Sequence, residues 1–292
     1  MNKSPEAHSR RTGRAYTIAA ALLWGLAGVC GKSIPWSAFS IIATRCGIGT
    51  VMTGISQKSF SPRCNKYTFA GAFMMSLTSL FYMISIKLTT AATAIVLQYI
   101  APILVFLFTV IVQKKKPRPV EACIVFSVFL GCVFSFADGL DATRVAGNIF
   151  GLLSGLTFAA QIIIFGDERA DAQKGVFVSN LMSFVCCLPF LFVDKSLVLS
   201  RKVIFWVLVM GIFQYGLAGI CYSKGCSRID KIETSLFLTI EPIFNPFPVY
   251  FVTGEKPGTS AIIGFVIVIT AVTLYGLLPV IDSKTRTKGE LT

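Results

Sequence analysis

Ten apolar runs, each close to the length needed to cross a bilayer, constrain this chain more than any other feature of its sequence. A hydrocarbon core takes about 17–25 helical residues, and runs of that kind fall at 15–32, 35–56, 67–86, 91–112, 119–138, 147–166, 175–193, 203–222, 232–252 and 258–281. They are continuously apolar and lack the period-two alternation of barrel strands, so helices that satisfy their own backbone groups are expected. Composition agrees: 14% of residues are charged, against about a quarter in soluble domains, and mean hydropathy is +0.72. No stretch is polar enough to build a separate aqueous domain. The basic stretch Arg10, Arg11, Arg14 before the first run has the look of a signal peptide, but equally apolar segments follow, and the run reads as a retained span. An all-α integral membrane protein is expected.

The formal charge of +13 raises nucleic-acid binding as a possibility, but the basic residues sit in short connections between apolar runs and form no single face. Membrane orientation accounts for them instead. With the N-terminus inside, only Lys32, Lys87, Arg144, Lys195, Arg201, Lys202 and Lys256 of the 27 lysines and arginines fall in outer connections. Arg45 lies within a span, and the rest lie inside, so both termini are expected in the cytoplasm. The triple Lys114-Lys115-Lys116 reads as a topogenic stop. The nine cysteines form no C-x-x-C pair and behave as small apolar side chains within the runs.

Within this frame Gln98-Tyr99-Ile100-Ala101-Pro102 has a counterpart in Leu238-Thr239-Ile240-Glu241-Pro242, 140 residues later. The same offset places Tyr82 on Tyr222, Lys116 on Lys256 and Pro117 on Pro257. Leu22 to Leu26 matches Leu152 to Leu156 more loosely, at an offset of 130. Ten spans divide into two sets of five, and an odd number forces the second set to enter from the opposite side. The expected organisation is a tail over 1–14, a first repeat over 15–138, a linker over 139–146, an inverted second repeat over 147–281 and a tail over 282–292. The working site is expected between the copies, with helix breaks at Pro102 and Pro242.

Polar groups inside the spans are few, and each must find a partner or line a wet cavity. Glu241 sits near the midplane, where an acidic side chain costs about 2.5–3.5 kcal/mol, and Asn245 follows one turn later on the same face. Pro242 and Pro246 leave the carbonyls of Leu238 and Pro242 without helical donors. Glu241 reads as a substrate contact or a protonatable coupling group, or else as a structural carboxylate bonded to a neighbouring helix. Arg45 is expected to pair with a carboxylate or with helix-end carbonyls, in packing or in binding a substrate carboxylate. Trp24, Tyr82, Gln98, Tyr99, Gln161 and Tyr222 complete the candidate substrate-binding set, their flat faces and polar tips suiting small organic solutes. Gln214-Tyr215 lie midway through the eighth span, whereas Tyr67 and Tyr250 read as interfacial anchors. The glycine pairs, such as Gly25 with Gly28 and Gly151 with Gly155, read as packing surfaces.

Enzymatic readings find little support. His8 is the single histidine and lies in the N-terminal tail, so neither H-E-x-x-H nor a Ser-His-Asp set within the membrane can be assembled. Without a P-loop to couple ATP hydrolysis, transport would be secondary or passive, and no cofactor or metal is called for.

Leu23-Trp24-Gly25, Arg45, Ala101-Pro102 followed by basic residues and Pro117, and Ile240-Glu241-Pro242 followed by Gly254-Glu255-Lys256 together resemble the drug/metabolite transporter superfamily in its EamA-like, ten-helix branch. The resemblance runs from Ala15 to Ile281 and implies two inverted five-helix repeats around a central cavity, with alternating access. It also implies movement of amino acids, other metabolites or drugs across the inner membrane. The chain departs from the pattern after the fourth span, where Gln113-Lys114-Lys115-Lys116 replaces the usual glycine-glutamate, leaving Glu255 alone in that role.

The expectation is therefore a secondary transporter of a small metabolite, an amino acid or a related zwitterion or cation, coupled to a proton or a counter-substrate. A passive channel, a lipid-handling protein and a membrane sensor are the alternatives. The charge distribution generates a first prediction. Green fluorescent protein fused after Thr292 should fluoresce, and alkaline phosphatase fused there should be inactive; the reverse pattern would invert the orientation.

Overall fold

The computed structural model describes residues 5–89, 91–114, 118–135, 143–254, 258–260, 262–264 and 266–275, and among these every regular element is helical. Eight helical stretches are long and apolar enough to cross a membrane: Ser9–Gly31, Ala38–Ser56, Lys66–Leu88, Thr93–Ile111, Val145–Phe165, Ala172–Val193, Arg201–Cys226 and Lys231–Val252. The fifth and tenth expected spans are represented by shorter apolar helices, Pro119–Phe134 and Ile262–Tyr275. Residues 115–117, Glu255 to Pro257, linker residues 139–142 and the C-terminal tail lie outside the described residues. Large apolar side chains such as Phe126, Phe192, Phe251 and Val266 stand outward and exposed. Such a surface would be an aggregation hazard in water but suits hydrocarbon.

Several of these stretches are interrupted. The first consists of α1 (Pro5–Trp24) and α2 (Ala27–Ser33), the fourth of α5 (Ala91–Gln98) and α6 (Ala101–Ile111). The ninth expected span is divided into α13 (Lys231–Leu238), α14 (Ile240–Phe244) and α15 (Pro246–Thr253). In the eighth expected span, a π-helical segment, Met210–Leu217, lies between α11 (Arg201–Val209) and α12 (Ala218–Cys226). By contrast α3 (Ala38–Ser56), α4 (Lys66–Leu88), α7 (Pro119–Ser135) and α8 (Val145–Phe165) are continuous, and the stretch Ala172–Val193 is broken only near its end, between α9 (Ala172–Cys187) and α10 (Phe190–Val193). Side chains start several of them in the usual way, Ser37, Asn65, Asp171 and Ser200 each accepting a hydrogen bond from a backbone N–H in the first turn.

The closest packing runs between the two halves of the chain. Helix α4 lies against α8 and α9, α3 against α9 and the π segment, α1 against α12 and α13, and α5 against α8. Glycines allow the tightest of these approaches. A Cβ at Gly28 of α2 would fall 2.0 Å from Asn245 Oδ1, and one at Gly155 of α8 would fall 2.6 Å from the Leu97 carbonyl. The main core gathers α1, α4, α5, α8, α12 and α13 around Trp24, Tyr99, Phe158 and Tyr222.

Polar groups tie the two ends of the bundle. At the end carrying the N-terminus, Glu233 is fully buried and paired with Arg10 at 2.9 Å and with Arg14. Near this end Asn65 donates to the Arg169 carbonyl at 2.8 Å. Arg169 donates to the Tyr67 hydroxyl and stacks over its ring at 4.4 Å. At the opposite end Asp194 accepts from the Ser37 N–H at 3.0 Å and the Ser40 hydroxyl at 2.5 Å. Trp36 donates to the Val198 carbonyl at 3.1 Å. Hydrogen bonds from Ser196, Ser37 and Ser40 hold the Asp194 carboxyl well below the usual carboxylate range.

Glu233 is accordingly a keystone of the N-terminal end. Glu233→Ala removes the carboxylate that Arg10 and Arg14 share, and a loss of about 1.5–3 kcal/mol is expected. Arg10 is nearly half exposed, so Arg10→Ala should cost less than about 1 kcal/mol. Thermal unfolding of the two purified variants checks the ordering.

Candidate functional site

The helix interruptions meet around a cavity of about 80 Å³. Trp24 reaches it from the last residue of α1, Gln98 from the last residue of α5, and Glu241 from the second residue of α14. Gln214 and Tyr215 reach it from the π segment, where the altered register turns both side chains away from the course of a regular helix. Arg45 from α3, Tyr82 from α4 and Gln161 from α8 close the wall. Of the expected site residues, Trp24, Arg45, Tyr82, Gln98, Gln161 and Glu241 therefore line one space.

Tyr99 and Tyr222 stand behind that wall. The Tyr222 ring packs on Trp24 at 5.2 Å and on Phe165 at 6.3 Å, and the Tyr99 ring meets Phe158 edge-on at 5.9 Å. The Tyr99 hydroxyl lies 3.1 Å from the Leu238 carbonyl and 2.7 Å from Glu241 Oε2. Pro242, which has no N–H, leaves that carbonyl without its helical donor, and the phenol supplies one. A single phenolic proton cannot serve both acceptors at once, so the carboxylate retains capacity toward the cavity.

Pro102 and Pro242 are buried one turn or less after the breaks, Pro102 in the first turn of α6 and Pro242 as the third residue of α14. Asn245 departs from the expected arrangement. The chain turns at Asn245 before α15, and its side chain packs against Gly28 instead of continuing the face of Glu241 into the cavity.

Arg45 also differs from expectation. It pairs with neither a carboxylate nor a helix end among the described residues. One terminal nitrogen donates to the Ser79 hydroxyl at 2.6 Å, and the guanidinium stacks on the Tyr215 ring at 4.4 Å. The reason is geometric, since the bends that carry Glu241 leave a hydroxyl and an aromatic face nearer to the guanidinium. Among the described residues Arg45 Nε has no hydrogen-bond partner, nor do the side-chain oxygens of Gln161 and Gln214. Groups of this kind, each buried to nine-tenths or more, carry a desolvation cost that a ligand or water in the cavity would relieve. Gln98 is satisfied by Ser154 at 3.0 Å.

Ser79, Thr78, Met75 and Phe158 belong to the wall as well but do not stand out as isolated residues in the sequence. Their spacing offered a signal: Met75, Ser79 and Tyr82 lie four and three residues apart, and Phe158 lies three from Gln161, one helical face in each case. The π segment, which brings in Gln214 and Tyr215, has no comparable signature.

The EamA-like transporter family model matches residues 11–137 and again 145–277. The uncharacterized inner membrane transporter YicL of Salmonella typhimurium is 24% identical over 96% of this chain and 99% of its own length. An uncharacterized transporter of Archaeoglobus fulgidus is 22% identical over 90% and 95%, and YxxF of Bacillus subtilis 19% identical over 94% and 93%. One crystal structure, 18% identical, matches with a TM-score of 0.77 over 92% of this chain and 98% of its own, a likeness of fold.

The bonds of Tyr99 yield a prediction that does not depend on any substrate. Tyr99→Phe strips the Leu238 carbonyl and Glu241 of their shared donor and should destabilise the protein by about 1–3 kcal/mol. Thermal unfolding measures it, with Tyr67→Phe at the exposed end as the control expected to change little.

Proposed function

Because this chain belongs to the EamA-like transporter family, we propose that it is a secondary transporter of a small zwitterionic metabolite, an amino acid or a close relative, held between two inverted repeats. One observation carries the choice of substrate. A single cavity wall presents a guanidinium, Arg45, and a carboxylate, Glu241, that form no ion pair with each other. A zwitterion places its carboxylate on Arg45 and its ammonium on Glu241, with Trp24, Tyr82 and Tyr215 around the remainder. Gln161 and Gln214 provide the orienting amides.

The repeats span 15–138 and 147–281, joined through 139–146. The pattern of packing supports an inverted relation. The contact of α1 with α12 mirrors that of α8 with α4, and the contact of α13 with α1 mirrors that of α5 with α8. The start of α1 lies beside the end of α12, where a Cβ at Gly13 would meet Arg228, and the start of α8 lies beside the end of α4 at Gly147 and Thr89. A twofold axis in the membrane plane would produce these pairs. The end carrying Arg10 and Arg14 faces the cytoplasm on the basis of charge.

The small cavity volume supports alternating access. The cavity of about 80 Å³ holds a few atoms, whereas pockets for larger ligands run to about 300–1,000 Å³, which favours a state in which the halves part to admit a metabolite. The breaks beside Pro102, Pro242 and Gly25 supply points of flexure, and Glu241 contacts the amino group or changes protonation through the cycle.

Reconstituted flux tests the proposal. Wild-type protein in liposomes should give saturable uptake of an amino acid with accelerated exchange in counterflow. Glu241→Gln should reduce flux at least about tenfold, and Arg45→Gln should raise KM for carboxylate-bearing substrates by about 10–100-fold, one lost charged hydrogen bond. Non-saturating conductance would favour a channel, binding without flux would favour a sensor, and unchanged kinetics in both variants would overturn the assignment of the site.

A further inference from the structure

We infer that a second recess, at the N-terminal end of the bundle, binds the phosphate group of an anionic phospholipid. The recess, of about 510 Å³, lies between the end of α3 with the connection that follows it and the start of α9. Its framework is internally satisfied. The Asn65 side chain caps α4 by accepting from the Thr68 N–H and donates to the Arg169 carbonyl. The Asp171 carboxylate is occupied as the cap of α9, accepting from the Lys174 N–H at 3.0 Å, and its own N–H donates to Thr68. The negative charge in the recess is therefore committed to a helix end.

Three cations line the same space: Lys58, Arg63 and Lys174. Lys174 lies over the Phe177 ring and donates to Ser59 at 3.4 Å. Lys58 and Arg63 are exposed, and among the described residues neither has a carboxylate within ion-pair distance. An anion entering the recess thus meets three positive charges against one carboxylate already in use. Its phosphoryl oxygens suit the ammonium and guanidinium groups as hydrogen-bond acceptors.

An apolar lane leads away from the recess along α3. Val51 and Ile55, one turn apart, are exposed together with Phe60. Phe60 is held by edge-on contact with Phe177 at 6.2 Å and by Gly54, where a Cβ would fall 2.3 Å from its ring. The recess caps this lane at the membrane boundary, the arrangement of a headgroup site with an acyl chain running down the helix. A soluble phosphate would use the cations but leave the lane without a role.

Native mass spectrometry and thermal unfolding of the full-length protein test the inference, with phosphatidylglycerol titrated into a phosphatidylcholine background. The wild type should retain phosphatidylglycerol and unfold at a higher temperature in its presence. Each neutralised cation should weaken retention about fivefold, so Lys58→Gln with Arg63→Gln should weaken it about 25-fold. The charge-preserving pair Lys58→Arg with Arg63→Lys should retain binding, as should Lys195→Gln with Lys202→Gln at the opposite end. Equal retention by the neutralised variant would overturn the site, and so would equal losses in the charge-preserving pair. Stabilisation by millimolar inorganic phosphate to the same degree as by the lipid would overturn the lipid assignment in favour of a soluble anion.

Discussion

A backbone carbonyl without a donor cannot be left in hydrocarbon, and the arrangement at Leu238 is the point on which the centre of this protein depends. Pro242 removes the N–H that would serve that carbonyl, and the Tyr99 hydroxyl takes its place. Tyr99 is itself at the interruption between α5 and α6, so the break in one half of the chain is satisfied by a side chain at the break in the other. The same hydroxyl touches Glu241, which fixes the carboxylate at the bend and directs it toward the cavity. Two interrupted helices are thereby locked together, and polar atoms gather where regular helices would have shown only apolar side chains.

The interlocking of the halves follows from the same constraint. If each half were a separate lobe, its interrupted helices would have to complete their own hydrogen bonding. Instead α1 packs along α12, and α4 along α8, with glycines at Gly28 and Gly155 letting backbones and short polar side chains approach. The cavity at the meeting point is small and lined by buried polar groups, three of which carry an atom with no hydrogen-bond partner among the described residues. Such a centre is costly to leave dry and unliganded, and it is bounded at one end by the buried Glu233 pairs and at the other by the Asp194 hydrogen bonds. Glu233 has no standing in the sequence beyond being one acidic residue near the start of a span. Its importance arises because two arginines of α1 lie beside it.

The sequence by itself determined the class of the protein: an all-helical membrane chain, its apolar spans, and their duplication about Pro102 and Pro242. These are consequences of length, hydropathy and the missing proline N–H, properties each segment carries without its neighbours. Glu241, Arg45 and Trp24, which line the central cavity, were legible as candidates because a charged or large polar group within a span is rare and demands a partner. Tertiary structure alone decided what those partners are. It gave Arg45 a hydroxyl and a tyrosine face in place of a carboxylate, set Tyr99 and Tyr222 behind the cavity wall, and turned Asn245 aside onto Gly28. It also brought in Gln214 and Tyr215 through a π segment that sequence spacing does not mark. Partnership is a matter of which helix lies opposite at a given depth, and that depends on close approaches and bends that no single segment encodes.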